Sequence, residues 1–190
     1  AVHGTQAFVA DGYAGLKVVD ISDETAPAIV FGEEREATLG AAEDVRVIGE
    51  HVYVAHGSAG VAVHALADPS VRTLYDTPTC AKHLAQAGPW LGVADIGGFE
   101  VFRIRTDGSL EHAARERGLY RDKPSVSSSL SLRVWHGIAN WGEDRVLTAD
   151  WDSMDAYAVV DPALDDQPDI TPSRQRLRFE PAGGAAVVTL

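Results

Sequence analysis

The chain has 190 residues and a mass of 20.2 kDa, with 45% hydrophobic and 23% charged residues, the proportions of a folded domain with a real core rather than of a disordered segment. Its 28 acidic against 16 basic side chains give a net charge of −12 and a pI near 4.9, which argues against nucleic acid or anionic lipid as a partner bound through bulk electrostatics. No apolar run reaches the roughly 18 to 20 residues of a membrane-crossing helix, and the single cysteine, Cys80, excludes an internal disulfide framework and any multi-cysteine metal site.

In chain order, the first element is a hairpin. Phe8-Val9-Ala10 and Leu16-Lys17-Val18 are short β-prone runs, and Asp11 to Gly15 between them supplies the turn chemistry: glycine for positive φ and aspartate to bond the backbone two residues on. The same pattern returns at Tyr53 to Val63 with a constant offset of 45 and no gap. Aromatic, Val, Ala, Gly, Ala, Gly and Val recur in register. A third copy runs from Leu91 to Val101 with a turn one residue shorter, and a fourth, Val146 to Trp151, keeps the strand and its Ala-Asp end.

In the second unit a strand at Asp44 to Ile48, closed by Gly49-Glu50, precedes the hairpin. Another at Ser70 to Tyr75 follows Asp68-Pro69. That makes four antiparallel strands per unit of about 40 to 45 residues, the size of a propeller blade. Leu16 to Ile21 and Val61 to Leu66 are apolar on both faces, as blades stacked face to face require. Val9, Val18, Val54, Val63, Val93 and Val101 are therefore expected in the core. Leu110 to Gly118 reads as the one short helix, in the longest insertion between repeats, and the serine-rich stretch from Leu119 to Ser131 as a surface loop.

The acidic, proline-punctuated residues 162–171 suit a linker, and 172–190 hold two apolar runs, Leu177 to Phe179 and Ala186 to Leu190, about a Pro181 to Gly184 turn. Val2-His3-Gly4 superposes on the end of an inner strand at Val47-Ile48-Gly49, which predicts a shortened first strand. The chain opens on Ala1 with no basic-then-apolar leader. The expectation is a part of a longer, multidomain chain whose exposed blade edges would associate.

The residues from Phe8 to Asp23, ending Val18-Val19-Asp20-Ile21-Ser22-Asp23, resemble the LVIVD repeat. The second copy keeps Asp68-Pro69 but carries His64-Ala65 in place of the central Val-Asp. The resemblance spans residues 1–161 and implies an all-β fold: a partial β-propeller of about four four-stranded antiparallel blades. It also implies a bacterial secreted, periplasmic or cell-surface location, and carries no catalytic residues. Residues 172–190 are similar to the opening hairpin of bacterial immunoglobulin-like surface modules.

In a propeller the loops before the innermost strand and those between the second and third strands open on one face. Superposition puts Glu43, Lys82 and His136 at one position there, with Asp44 and His83 beside them and Cys80 slightly upstream; Asp11, His56, Asp95 and Asp150 occupy the second loop type. His136, His83, Glu43 and Asp44 are the candidate ligands for one transition-metal ion, since imidazole and carboxylate are usual donors. The competing reading has no cofactor, with the aspartates bonding their own turns. His64, on a strand, reads as a satisfied core histidine, and Cys80 as inert unless Lys82 and His83 lower its pKa. Trp135, His136, Asp150 and Trp151 are candidate contacts for a protein or carbohydrate at the loop face.

The reading that follows is a non-catalytic extracellular or surface binding module. Its alternative is a metal-dependent or redox enzyme working at the channel mouth.

Overall fold

The computed structural model describes residues 1–35, 38–96, 98–117, 137–140, 145–149 and 154–158. Among these there is no helix. The strands are β1 (Val2–His3), β2 (Gln6–Ala10), β3 (Leu16–Asp20), β4 (Ala28–Gly32), β5 (Asp44–Ile48), β6 (His51–Ala55), β7 (Val61–Ala65) and β8 (Arg72–Tyr75). They continue as β9 (Ala81–Ala87), β10 (Trp90–Asp95), β11 (Gly98–Ile104), β12 (Leu110–Arg117), β13 (Gly137–Asn140), β14 (Arg145–Ala149) and β15 (Met154–Ala158). They form three four-stranded sheets, β1 to β4, β5 to β8 and β9 to β12, and one of three described strands, β13 to β15. Every neighbouring pair is antiparallel and sequential. The tight turns make this order the economical one.

The repeat superposition is the structural one. Phe8 lies in β2 and Tyr53 in β6, each the second strand of its sheet. At the second copy of the turn, Gly60 has φ of 80°, and a Cβ there would lie 2.2 Å from the Tyr75 carbonyl oxygen. Only glycine satisfies both conditions.

The sheets pack face to face in chain order. Phe8, Leu16 and Val18 of the first meet Val52, Val54 and Ala62 of the second. On the other side of the second sheet, Tyr53, Val61 and Val63 meet Leu84, Leu91, Val93 and Phe102 of the third. Ala94, Phe99 and Val101 then meet Ile138. A strand between two neighbours is buried on both faces, which is why all of β10 and most of β6 and β7 are buried. Full burial of side chains such as Leu84, Leu91 and Val61 contributes about 1.5 to 3 kcal/mol each.

Three expectations need correction or bounding. Val18, Val54, Val63, Val93 and Val101 are buried, but Val9 is 42% exposed. It alternates with Phe8 and so points to the flank of the first sheet turned away from the second. The residues read as a helix, Leu110 to Gly118, are instead strand β12 over Leu110–Arg117, which completes the third sheet by pairing along β11. The linker at 162–171 and the hairpin at 172–190 lie outside the described residues, as do Trp135, His136, Asp150 and Trp151.

Candidate functional site

At the expected channel mouth, side chains hold strands together. Glu43, just before β5, forms an ion pair with Lys82 of β9, and that hydrogen bond holds the Lys82 ammonium above its ordinary range. Asp44 accepts from its neighbour Val45 N at 2.8 Å and, across the seam, from Leu84 N at 2.9 Å. Arg46 donates to the Leu84 carbonyl at 3.1 Å and lies 3.5 Å from Asp44. One acid and one base thus grip both backbone groups of Leu84.

His83 is half-buried on β9 beside this grip. Asp95, expected to bond its own turn, is bonded beyond it. It reaches back to the link before β9, accepting from the Thr79 amide at 3.0 Å and also from the Thr79 hydroxyl and the Cys80 amide. Burial pushes the Cys80 thiol up; Glu43 and Asp95 add to this, and Lys82 opposes it. An elevated thiol pKa is the opposite of what a nucleophilic cysteine needs.

A second cluster, deeper, joins the first sheet to the second. β4 ends at Gly32, and Glu33 folds back so that its amide donates to the Leu16 carbonyl while its Oε2 accepts from Leu16 N at 2.6 Å. Gly15 makes this possible, since a Cβ there would sit 2.5 Å from Glu33 Oε2. The second sheet supplies the partners. His56 Nε2 lies 2.9 Å from Oε2, Arg72 Nη1 donates to Oε1 at 2.8 Å, and His64 Nε2 stands 3.7 Å from Oε1.

The strand register explains this convergence. His64 pairs with Val52 and Arg72, and Val52 faces the first sheet, so the row across β6, β7 and β8 points the same way. His56 follows Val54 by two residues and shares that face.

Glu33, His56 and His64 are all buried, and one ligand atom from each falls within 4.8 Å of the others. The backbone fixes the proton positions. Pro69 O, 2.7 Å from His64 Nδ1, can only accept, so Nδ1 carries the hydrogen and neutral Nε2 presents a lone pair. His56 Nε2 likewise donates to the carboxylate. His56 Nδ1 and His64 Nε2 are buried without a hydrogen-bond partner. Burial pushes the Glu33 carboxyl up, but the His56 hydrogen bond, the Leu16 amide and the fields of His56 and His64 outweigh it and hold the pKa at about 2. Burial moves His64 the other way from its usual value, downward, in spite of Pro69 and Glu33, so its imidazole is held neutral.

The third sheet carries a related arrangement built differently. Glu100 of β11 is buried, with His112 Nε2 at 2.7 Å and Arg115 Nε at 2.8 Å, both from β12. Burial raises its pKa, with His112 and Arg115 opposing.

Sequence reasoning passed over Glu33. It heads the run Glu33-Glu34-Arg35-Glu36, which reads as a solvated surface, and its one local signal is its place directly after the apolar Ala28 to Gly32 strand. His64 is buried and partnered at Nδ1, as a core histidine should be, yet its other nitrogen is not.

A family model for the LVIVD repeat matches residues 1–32 and 39–75. These two units are LVIVD repeats. The first match ends at the C-terminus of β4, and the second runs through β8, so each LVIVD repeat corresponds to one four-stranded sheet. The Glu33 cluster sits at the junction of the two LVIVD repeats, its acid in the short gap between matches. No curated protein matches this chain.

Among solved structures, the chain is similar to a putative 6-phosphogluconolactonase from Bacteroides uniformis, with a TM-score of 0.68, 16% identity, and 92% of this chain and 55% of that one covered. It is also similar to the β-propeller domain of Cps50 (Swd1) from Myceliophteria thermophila, with a TM-score of 0.60, 10% identity and coverages of 82% and 53%. The N-terminal domain of Nup159 matches with a TM-score of 0.54, 13% identity and coverages of 85% and 44%. The chain spans about half the length of these structures. At such identities the likeness speaks for the fold, and the fold is a β-propeller.

Proposed function

We propose that this chain is a non-catalytic binding module, a rigid stack of propeller blades that presents its loop face to a protein or a carbohydrate. We further propose that it works outside the cytoplasm of a bacterium, secreted, periplasmic or on the surface. The observation that carries the reading is how the described mouth residues are used. Glu43 is paired with Lys82, Asp44 and Arg46 grip Leu84, Asp95 anchors the link before β9, and the Cys80 thiol is held in its protonated form.

Groups tied into the scaffold fix a shape. A general base or nucleophile needs a free lone pair within reach of substrate and a pKa suited to its task. Trp135, His136 and Trp151 supply the side-chain types for the recognition surface itself, amphipathic rings that bury area at small entropic cost.

The test is a glycan array and a screen of extracellular protein ligands with the 190-residue chain, run beside a panel of lactone, carboxylic ester and phosphate ester substrates. Saturable binding that weakens in Trp135→Ala and His136→Ala, with no turnover, is the expected result. Turnover lost in His136→Ala or His83→Ala would replace this reading with an enzymatic one.

A further inference from the structure

We infer that the junction of the first two blades is a binding site for one divalent transition-metal ion of the zinc class, held by Glu33, His56 and His64. The donor set is the right kind: two imidazoles and one carboxylate, the borderline nitrogen and hard oxygen ligands that zinc accepts. His56 stands on one of the loops assigned to the mouth face, but Glu33 and His64 do not, and the buried site is a structural staple between blades that leaves the binding-module reading intact.

Geometry gives the first argument. Zinc–nitrogen distances of about 2.0 to 2.1 Å in a tetrahedral site set ligand atoms roughly 3.3 Å apart. The separations from the Glu33 carboxylate to His56 Nε2 and His64 Nε2, 2.9 and 3.7 Å, straddle that value. An ion there would displace the His56 Nε2 proton, which moves to Nδ1 or to solvent, and small side-chain adjustments bring the ligand atoms to equal distance.

Orientation gives the second. His64 donates Nδ1–H to the Pro69 carbonyl, the arrangement that fixes a ligating imidazole with its other nitrogen bare and aimed. That nitrogen is fully buried, points toward the carboxylate and has no hydrogen-bond partner. A buried lone pair facing a carboxylate is a costly arrangement that a cation relieves.

Arg72 works against the ion and sets its affinity. Its guanidinium already occupies Glu33 Oε1, and the Leu16 amide occupies Oε2. Ligating carboxylates commonly carry such outer hydrogen bonds, but the fixed positive charge repels a divalent ion. The side chain is 23% exposed, so solvent screens part of that repulsion. Removing that charge should therefore tighten metal binding, an outcome that a purely structural ion-pair cluster does not produce.

The experiment uses the 190-residue chain, stripped with chelator and titrated with zinc by calorimetry and with cobalt(II) by visible absorption. One ion per chain is expected. X-ray absorption at the zinc edge should report two imidazole nitrogens with oxygen and no sulfur. His56→Ala and His64→Ala should each weaken binding by more than about 100-fold, beyond the range of outer-sphere changes. Arg72→Gln, which keeps all three ligands, should strengthen it by about tenfold or more. Absence of saturable one-to-one binding in both the parent and Arg72→Gln would overturn the proposal. So would sulfur in the coordination sphere, or full affinity in the His56→Ala/His64→Ala double variant.

Discussion

Glu33→Gln in the metal-free protein tests the electrostatics of the blade junction. Both oxygens of Glu33 face donors: the Leu16 amide and His56 at Oε2, and Arg72 at Oε1. A glutamine amide must turn its NH2 toward one of these sets, so no rotamer restores the bonds. Breaking a buried pair by neutralising one partner costs about 3 to 5 kcal/mol. The fall of the carboxyl from its ordinary 4.5 to about 2 corresponds to about 3 kcal/mol of that loss.

A depressed carboxylate stabilises the fold above its unfolded pKa and loses that contribution as pH falls through the folded one. The parent's advantage over Glu33→Gln should therefore be full at pH 7 and shrink from near pH 5 toward pH 2. Urea unfolding of both proteins across that interval, with chelator present, reads the difference directly. A gap that is the same at pH 7 and near pH 2.5, or below about 1 kcal/mol at pH 7, would refute the account of Glu33 as an ionised clasp.

Other residues give simpler tests. Tyr53→Phe removes the buried hydroxyl that donates to Gly108 O at 2.9 Å and should cost about 1 kcal/mol in urea unfolding. Val54→Ala, at a fully buried position, should cost about 1 to 3 kcal/mol by the same measurement. Gly60→Ala combines positive φ with a Cβ 2.2 Å from the Tyr75 carbonyl and should reduce soluble yield and lower the unfolding midpoint more than Val54→Ala does. Cys80 in the folded chain should react with iodoacetamide at pH 8 more slowly than in the urea-unfolded chain, since burial holds its thiol protonated; faster reaction in the folded state would contradict the placement.

The blades were legible wherever local turn chemistry and alternation coincide, as at Asp11 to Gly15 and its copy at His56 to Gly60, because glycine positions fix both the turn and the register of the flanking strands. β12 was not. Leu110-Glu111-His112-Ala113-Ala114-Arg115-Glu116-Arg117 is rich in helix formers, and pairing with β11 overrides that preference.

The exposure of Val9 follows from its place on the outer flank of the first sheet, which a local pattern cannot distinguish from an inner seam. Glu33 was hidden for a related reason. Its partners lie 23, 31 and 39 residues away, at His56, His64 and Arg72, and only the stacking of two blades brings them together. Superposition places Glu43 and Lys82 at one equivalent position of their repeats, yet their pairing across blades is a tertiary fact.

The two buried glutamates among the described residues bear on how such a chain diversifies. At the first junction the acid comes from the segment after β4 and the basic groups from the next blade; in the third blade acid and bases, Glu100 with His112 and Arg115, belong to the same sheet. Tandem units that arise by copying begin as exchangeable parts, but these no longer are. Inserting a duplicate of the second blade after itself would set a new His56, His64 and Arg72 against a neighbour with Tyr75 at the register position of Glu33. Unequal crossing-over between these repeats would thus yield misfitting products, and the order of blades becomes heritable as a whole.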